Sequence, residues 1–85
     1  MIDRARAEND VAARAARLRV GGALSVACYK GDRTITITRT GEDEYALAQR
    51  GFDTMDHHCD SKNLKKLLKK LFRREFPRSN RLRVG

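Results

Sequence analysis

Seven basic residues between positions 62 and 74 form the largest candidate binding group in the sequence. They are five lysines and two arginines, namely Lys62, Lys65, Lys66, Lys69, Lys70, Arg73 and Arg74. At about 100° per residue, all seven project from one half of a helix. Lys and Arg side chains neutralise the phosphates of a polyanion and release the counterions that those phosphates hold. The spacing therefore indicates a helical face that binds a polyanion.

This face carries charge that the helix itself does not balance. Five like-charged pairs lie four residues apart, and each pair costs roughly 0.2–0.5 kcal/mol in a helix. Residues 61–85 hold ten Lys or Arg and one acid, whereas residues 1–60 hold nine Lys or Arg and ten acids. Helices that are charged only for solubility usually mix acids with their lysines. We therefore favour an external anion over the simpler interpretation, a solvated helix face.

Three further arginines follow this segment and are expected to extend its basic surface. Arg78 lies in a turn after the helix, and Arg81 and Arg83 alternate with the apolar residues Leu82 and Val84. Strict alternation of polar and apolar residues predicts a short strand. The three arginines and the seven helical residues together form the predicted nucleic-acid-binding set.

The run His57-His58-Cys59 is the other group that invites a chemical interpretation. Metal ligands usually occur as spaced pairs whose side chains converge, whereas three consecutive side chains diverge. A Cys–His nucleophile also needs an orienting residue and an oxyanion hole, and neither can be placed in this sequence. The sequence has no glycine-rich phosphate-binding motif. We therefore expect a polar loop at residues 53–60, no metal or other cofactor, and no enzymatic activity.

Size and composition predict one small basic domain. The chain has 85 residues, of which 40% are hydrophobic and 35% charged, and its net charge is +8. We divide it into an N-terminal helix at residues 1–20 and an α+β domain at residues 21–85, and leave open whether residues 1–10 are ordered.

Two cysteines are too few for a disulfide framework, so we expect free thiols and a cytoplasmic protein. The first 20 residues contain acids and no long apolar run, and so predict neither a targeting signal nor a membrane anchor.

Two helices are predicted from the spacing of apolar residues. In the segment 61–76, residues three or four positions apart form one apolar face, made of Leu64, Leu67, Leu68, Leu71, Phe72 and Phe76. Asp60 or Ser61 can cap the start of this helix, and Pro77 ends it. The other helix covers residues 2–20 and has a thin apolar stripe at Val11, Ala15 and Leu18.

A β-hairpin is predicted where glycines begin to recur at positions 21, 31, 41 and 51. Residues 23–30 and 33–39 flank Gly31-Asp32, a dipeptide suited to a two-residue hairpin loop. In that register Lys30 lies opposite Arg33, and the apolar residues of both strands fall on one face.

A third strand at residues 44–50 completes a three-stranded meander, provided that an odd-length loop precedes it. One face of this sheet is then apolar and packs against the leucine face of the basic helix. Its residues are Leu24, Val26, Cys28, Ile35, Ile37, Tyr45 and Leu47. We expect Phe52 and Met55 to close one end of this core.

The predicted architecture is an α+β fold of the order α-β-β-β-α-β, with the long basic helix packed on one face of an antiparallel sheet. Its sequence of helix, three strands and helix resembles that of the double-stranded RNA-binding domain, as does the placing of Ser61-Lys62 and Lys65-Lys66 at the start of the last helix. The chain lacks that family's glycine-containing approach to the helix and its alanine pair, and the C-terminal strand is foreign to it. We treat the similarity as one of element order.

We predict from these features that the protein binds nucleic acid, RNA somewhat ahead of DNA, through phosphate contacts that carry no sequence information. The alternative is a non-enzymatic module that docks on an acidic protein, because that partner also needs only a positive face. Membrane binding is a lesser alternative, since the leucines of the basic helix are needed to cover the sheet. An RNA-recognition motif is disfavoured because its aromatic signature is missing. The oligomeric state is left open.

Overall fold

A six-stranded antiparallel sheet with two helices on one face makes up the structure, a computed structural model that describes residues 2–28, 30–51, 53–77 and 81–85. The strands are β1 (Ile2–Asp3), β2 (Ala23–Ala27), β3 (Thr34–Gly41), β4 (Glu44–Arg50), β5 (Thr54–Asp60) and β6 (Arg81–Val84). Their order across the sheet is β1-β6-β2-β3-β4-β5. The helices are α1 (Ala7–Ala16) and α2 (Ser61–Glu75). The predicted α+β class, with its N-terminal helix, packed second helix and C-terminal strand, is confirmed.

One hydrophobic core lies between the sheet and the two helices. All seven residues predicted for the inner face of the sheet are buried, namely Leu24, Val26, Cys28, Ile35, Ile37, Tyr45 and Leu47. The facing residues of α2 are also buried, namely Leu64, Leu68, Leu71 and Phe72. Ala7, Val11 and Ala15 of α1 belong to the same core, and their small side chains let α1 pack close beside α2. The predicted packing of the basic helix on one sheet face is thus confirmed.

The hairpin between β2 and β3 has a longer loop than predicted. Cys28 takes the place opposite Arg33 that the prediction gave to Lys30, and its N–H donates to the Arg33 carbonyl at 3.2 Å. The N–H of Gly31 donates to the carbonyl of Cys28 at 2.9 Å, in a turn where Gly31 adopts a φ of +77°. The predicted pairing is therefore wrong by two residues. A shift of two returns each side chain to its original face, so the predicted burial still holds.

The connection from β3 to β4 combines a two-residue loop with a β-bulge. The register shifts by one residue between Arg39 and Gly41. Leu47 consequently lies opposite Ile37. The bulge supplies the odd residue that the prediction assigned to the loop, and this keeps Leu47 on the inner face of the sheet.

Residues 54–60 form a complete strand, β5, where the sequence predicted a polar loop. The strand pairs with β4 along its whole length and is the last strand on that side of the described sheet. Its apolar pattern is weak because α2 covers it only in part, so its side chains are exposed or half-buried. Met55, predicted to close the core, is instead 52% exposed. Phe52, which was also predicted to close the core, lies outside the described residues.

The helix α1 is shorter than the predicted helix at residues 2–20. Ile2–Asp3 pair with β6, and Arg4–Arg6 form a single 3-10 turn before α1 begins. At the other end, the guanidinium of Arg39 donates to the carbonyl of Leu18 at 2.6 Å. A cation at this position stabilises the unpaired carbonyls and the negative end of the helix dipole. Arg39 therefore fastens the end of α1 to the sheet.

Candidate nucleic-acid interface

The helix α2 begins at a capped N-terminus directly after β5. The Asp60 carboxylate accepts a hydrogen bond from the backbone N–H of Asn63 at 3.0 Å and another from the Asn63 side chain at 2.9 Å. The first of these bonds satisfies an N–H group that has no partner within the helix. The N–H of Ser61 donates to Asp43 at 3.3 Å and ties the helix start to the β3–β4 loop. The orientation of α2 on the sheet is therefore set at its first residue.

Six basic side chains of α2 point to solvent along its length, and we call this surface the basic face. Its members are Lys62, Lys65, Lys66, Lys69, Lys70 and Arg73, and all are exposed. Within the described residues, the ion pairs of this protein do not involve any of the six. Their charges are therefore balanced by solvent ions, which a polyanion can displace. At a rise of 1.5 Å per residue, the six positions from Lys62 to Arg73 span about 17 Å of the helix axis.

Arg74, the seventh predicted residue on the helix, is bound to an acid. Its Nε donates to a carboxylate oxygen of Asp53 at 2.8 Å. This hydrogen bond and the charge of Asp53 raise the pKa of Arg74. The pair joins the C-terminal end of α2 to the start of β5. Arg74 thus has a structural partner that the six residues of the basic face do not have among the described residues.

Arg81 and Arg83 lie on the opposite face of the sheet from α2. Leu82 between them is buried in the core, and side chains alternate along a strand. Arg81 also lies 3.9 Å from Asp3 of the neighbouring strand. The expectation that these arginines extend the basic face is therefore wrong in its geometry. Arg78, the remaining predicted residue, lies outside the described residues.

One acid of α1 borders the basic face. Burial of Glu8 opposes its ionisation, but the hydrogen bond and charge of Arg4, together with the charge of Lys69, outweigh burial and lower the pKa of Glu8. Arg4 Nη1 lies 2.7 Å from Glu8 Oε1. Because Arg4 already compensates Glu8, this acid removes little positive potential from the neighbouring lysines.

The residues His57, His58 and Cys59 alternate along β5. His57 and Cys59 point toward α2, whereas His58 is exposed on the other side. A ring nitrogen of His57 is hydrogen-bonded to Gln49 at 2.9 Å. Burial raises the pKa of the Cys59 thiol, and the neighbouring Asp60 adds to the shift, which disfavours a reactive thiolate. Within the described part of the chain, no three His, Cys, Asp or Glu side chains are grouped as metal ligands.

The buried carboxylate at the end of α2 was not predicted from the sequence. Glu75 is fully buried and accepts hydrogen bonds from Gln49 at 2.7 Å and from the N–H of Asp53 at 3.3 Å. Its backbone carbonyl accepts a hydrogen bond from Arg33 at 3.0 Å. The position of Glu75 on the helical wheel, among the leucines and away from the lysines, was the available signal. This network fixes the end of α2 against β4 and β5.

No protein-family model, curated protein or solved structure matches this chain. Among the described residues, neither helix has the length and apolar composition needed to cross a bilayer.

Proposed function

We propose that this protein binds nucleic acid through the basic face of α2. The observation that carries the proposal is a row of six exposed Lys and Arg side chains on one rigid helix, without an ion-pair partner among the described residues. Such a row attracts phosphates by charge, and each phosphate neutralised releases counterions. Binding is therefore strong at low salt and weak at high salt.

This mode of binding positions the protein on a phosphate backbone and does not select a sequence. Lysine ammonium groups are flexible point charges, and phosphate contacts carry no base information. RNA is placed ahead of DNA because Ser61-Lys62 and Lys65-Lys66 at the start of α2 resemble the lysine cluster of a double-stranded RNA-binding domain, whereas the order of elements differs, with four strands between the two helices. The basic face itself makes no distinction between the two polymers.

A titration of duplex RNA, duplex DNA and single strands tests the proposal. The double variant Lys66→Glu/Lys69→Glu should weaken binding to unrelated sequences alike, because both lysines contact phosphates only. Its fold should be intact, since both substitutions relieve like-charge repulsion between residues four apart on α2. Circular dichroism and thermal melting of the variant provide the control.

Two outcomes would contradict nucleic-acid binding. One is that none of the polymers binds at low salt while the protein is folded. The other is that the charge-reversed variant binds as tightly as the wild type. An acidic protein partner would then be the better explanation of the basic face.

A further inference from the structure

We propose that the outer edge of β5 binds an extended acidic peptide, which adds to the sheet as a seventh strand beneath the flank of α2. This inference goes beyond the proposed nucleic-acid binding and uses a different part of the molecule, namely a strand edge and the groove beside it. Lys66 and Lys70 line both cavities of this groove and Lys69 and Arg73 line one of them, so these four residues are shared with the basic face.

The hydrogen-bond pattern shows which backbone groups of β5 point outward. The N–H of Cys28 donates to Arg33 and that of Arg39 to Gly22, so the odd-numbered residues of β3 bond to β2. In an antiparallel sheet, successive residues of a strand hydrogen-bond alternately to the strand on one side and to the strand on the other. The even-numbered residues of β3 therefore bond to β4, and the odd-numbered residues of β4 bond to β5. The odd-numbered residues of β4 lie opposite odd-numbered residues of β5, so it is the odd-numbered residues of β5 that bond to β4. The N–H and C=O groups of Thr54, Asp56 and His58 therefore point away from the sheet.

This edge lacks most of the features by which proteins protect a terminal strand, and its one exposed charge among the outward-paired residues is Asp56. β5 is seven residues long and contains no proline, lysine or arginine. Its pairing with β4 is continuous from Thr54 to Asp60, without a bulge. The edge thus offers about 23 Å of regular backbone to an incoming strand. The opposite edge of the sheet, β1, is only two residues long.

The helix α2 forms one wall of a groove along this edge. Two adjoining open cavities of about 580 and 750 Å³ lie between α2 and β5, and both are lined by Lys66 and Lys70. Apolar contact surface comes from Leu67 in the first cavity and Met55 in the second. A strand added beside β5 directs every second side chain toward α2, and therefore into this groove.

The charges of the groove select an acidic peptide. Lys66 and Lys70 are exposed and without an ion pair among the described residues. The acids along β5 already have partners, because Asp53 is bound by Arg74, Asp56 lies 3.2 Å from Arg50, and Asp60 caps α2. A peptide with Glu or Asp at every second position can thus satisfy the backbone edge and both lysines at once.

A second copy of this chain is a poorer occupant of the same edge. Two β5 strands paired antiparallel are related by a twofold axis perpendicular to the sheet, which puts both α2 helices on the same face. Their lysine flanks would then meet, and like charges across an interface cost free energy. Charge complementarity therefore favours the acidic peptide.

The test uses three capped ten-residue peptides and the folded, full-length protein. One alternates glutamate with threonine, one alternates lysine with threonine, and one has the composition of the first with its glutamates in a single block. We expect only the first to bind, and we expect its binding to shift the amide resonances of Thr54, Asp56 and His58 most. No shift of these amides at millimolar peptide, or equal binding of the blocked peptide, would overturn the proposal.

Substitutions at the edge separate strand addition from simple charge attraction. His58→Pro removes an outward N–H and leaves the ladder to β4 intact, so peptide binding should fall by about tenfold, the effect of one lost hydrogen bond. His58→Ala keeps the N–H and should bind the peptide like the wild type. Equal binding by the proline variant and the wild type would refute strand addition. RNA binding should be unchanged in His58→Pro, so that failure here is distinct from failure of the proposed function.

A pair of lysine variants keeps the test decisive if the proline variant does not fold. Lys70→Glu changes the groove, whereas Lys65→Glu lies on the other flank of α2, beside α1. We expect the first to weaken peptide binding by about tenfold or more and the second to weaken it much less. Equal weakening would place the peptide elsewhere. A protein dimer that His58→Pro dissociates, seen by analytical ultracentrifugation, would assign the edge to a second copy instead.

Discussion

The side chain of Glu75 connects the helix of the candidate interface to the core. Its carboxylate lies against Gly51, where a methyl group would overlap Oε1 of Glu75. The absence of a side chain at position 51 is therefore what makes room for a buried, hydrogen-bonded acid at the end of α2. A buried carboxylate needs all of its hydrogen bonds, because an unsatisfied charge in the interior is costly.

Gly51→Ala should destabilise the protein by about 1–3 kcal/mol, the usual cost of overpacking. The free energy of unfolding, measured by urea denaturation, checks this expectation. In the background of Glu75→Ala most of that cost should disappear, because the overlapping carboxylate is gone. Gly41→Ala is the matched control, since its added methyl group would meet nothing closer than 3.4 Å. If Gly51→Ala were as stable as the control, the close approach of Glu75 would be refuted.

Among the secondary-structure elements, those with strong apolar periodicity could be predicted and those without it could not. The leucine spacing of α2 and the alternation of β2, β3 and β4 reflect burial on one side, which sequence records directly. The strand β5 is an edge strand with one half-covered face, so its residues carry little apolar signal. The register errors have a local cause, a turn at Gly31 and a bulge after Arg39, which depend on backbone geometry and not on hydrophobicity.

Within the candidate site, the residues of α2 could be placed from the sequence, whereas those that depend on strand pairing could not. Helical spacing alone groups the six residues of the basic face, so their common exposure followed from the sequence. The position of Arg81 and Arg83 depends instead on which face of the sheet Leu82 occupies, and that requires the pairing of β6 with β2. The ion pair of Arg74 with Asp53 joins residues 21 positions apart and also requires the fold.

The packing of α2 can be tested with two neighbouring leucines. Leu68 is fully buried, whereas Leu67 is half-buried at the edge of the groove. Leu68→Ala should cost about 2–5 kcal/mol, a large part of the stability of so small a domain. Leu67→Ala is the matched control and should cost clearly less. Thermal melting of both variants measures the difference, and equal losses would contradict the packing of Leu68 at the helix–sheet contact.

The burial of these leucines also determines how the whole molecule responds to membranes. Because α2 already uses its apolar face in the core, it has no second apolar face for a bilayer. We expect weak binding to anionic vesicles that is reversed by salt and brings no gain of helix signal in circular dichroism. A large rise in helicity on addition of lipid would mean that α2 leaves the sheet, and it would favour membrane binding.

The distribution of charge over the molecule leads to the last prediction. The basic face and the pair Arg81 and Arg83 lie on opposite sides of the sheet. A nucleic-acid backbone whose phosphates contact the basic face therefore does not contact Arg81 and Arg83 as well. Six phosphate contacts predict a slope of about −5 in a plot of log K against log salt. Lys66→Glu/Lys69→Glu should reduce that slope by about two, whereas Arg81→Glu/Arg83→Glu should leave it nearly unchanged. The two variants have the same net charge, so a common effect would indicate a long-range field, and different effects locate the contact on α2.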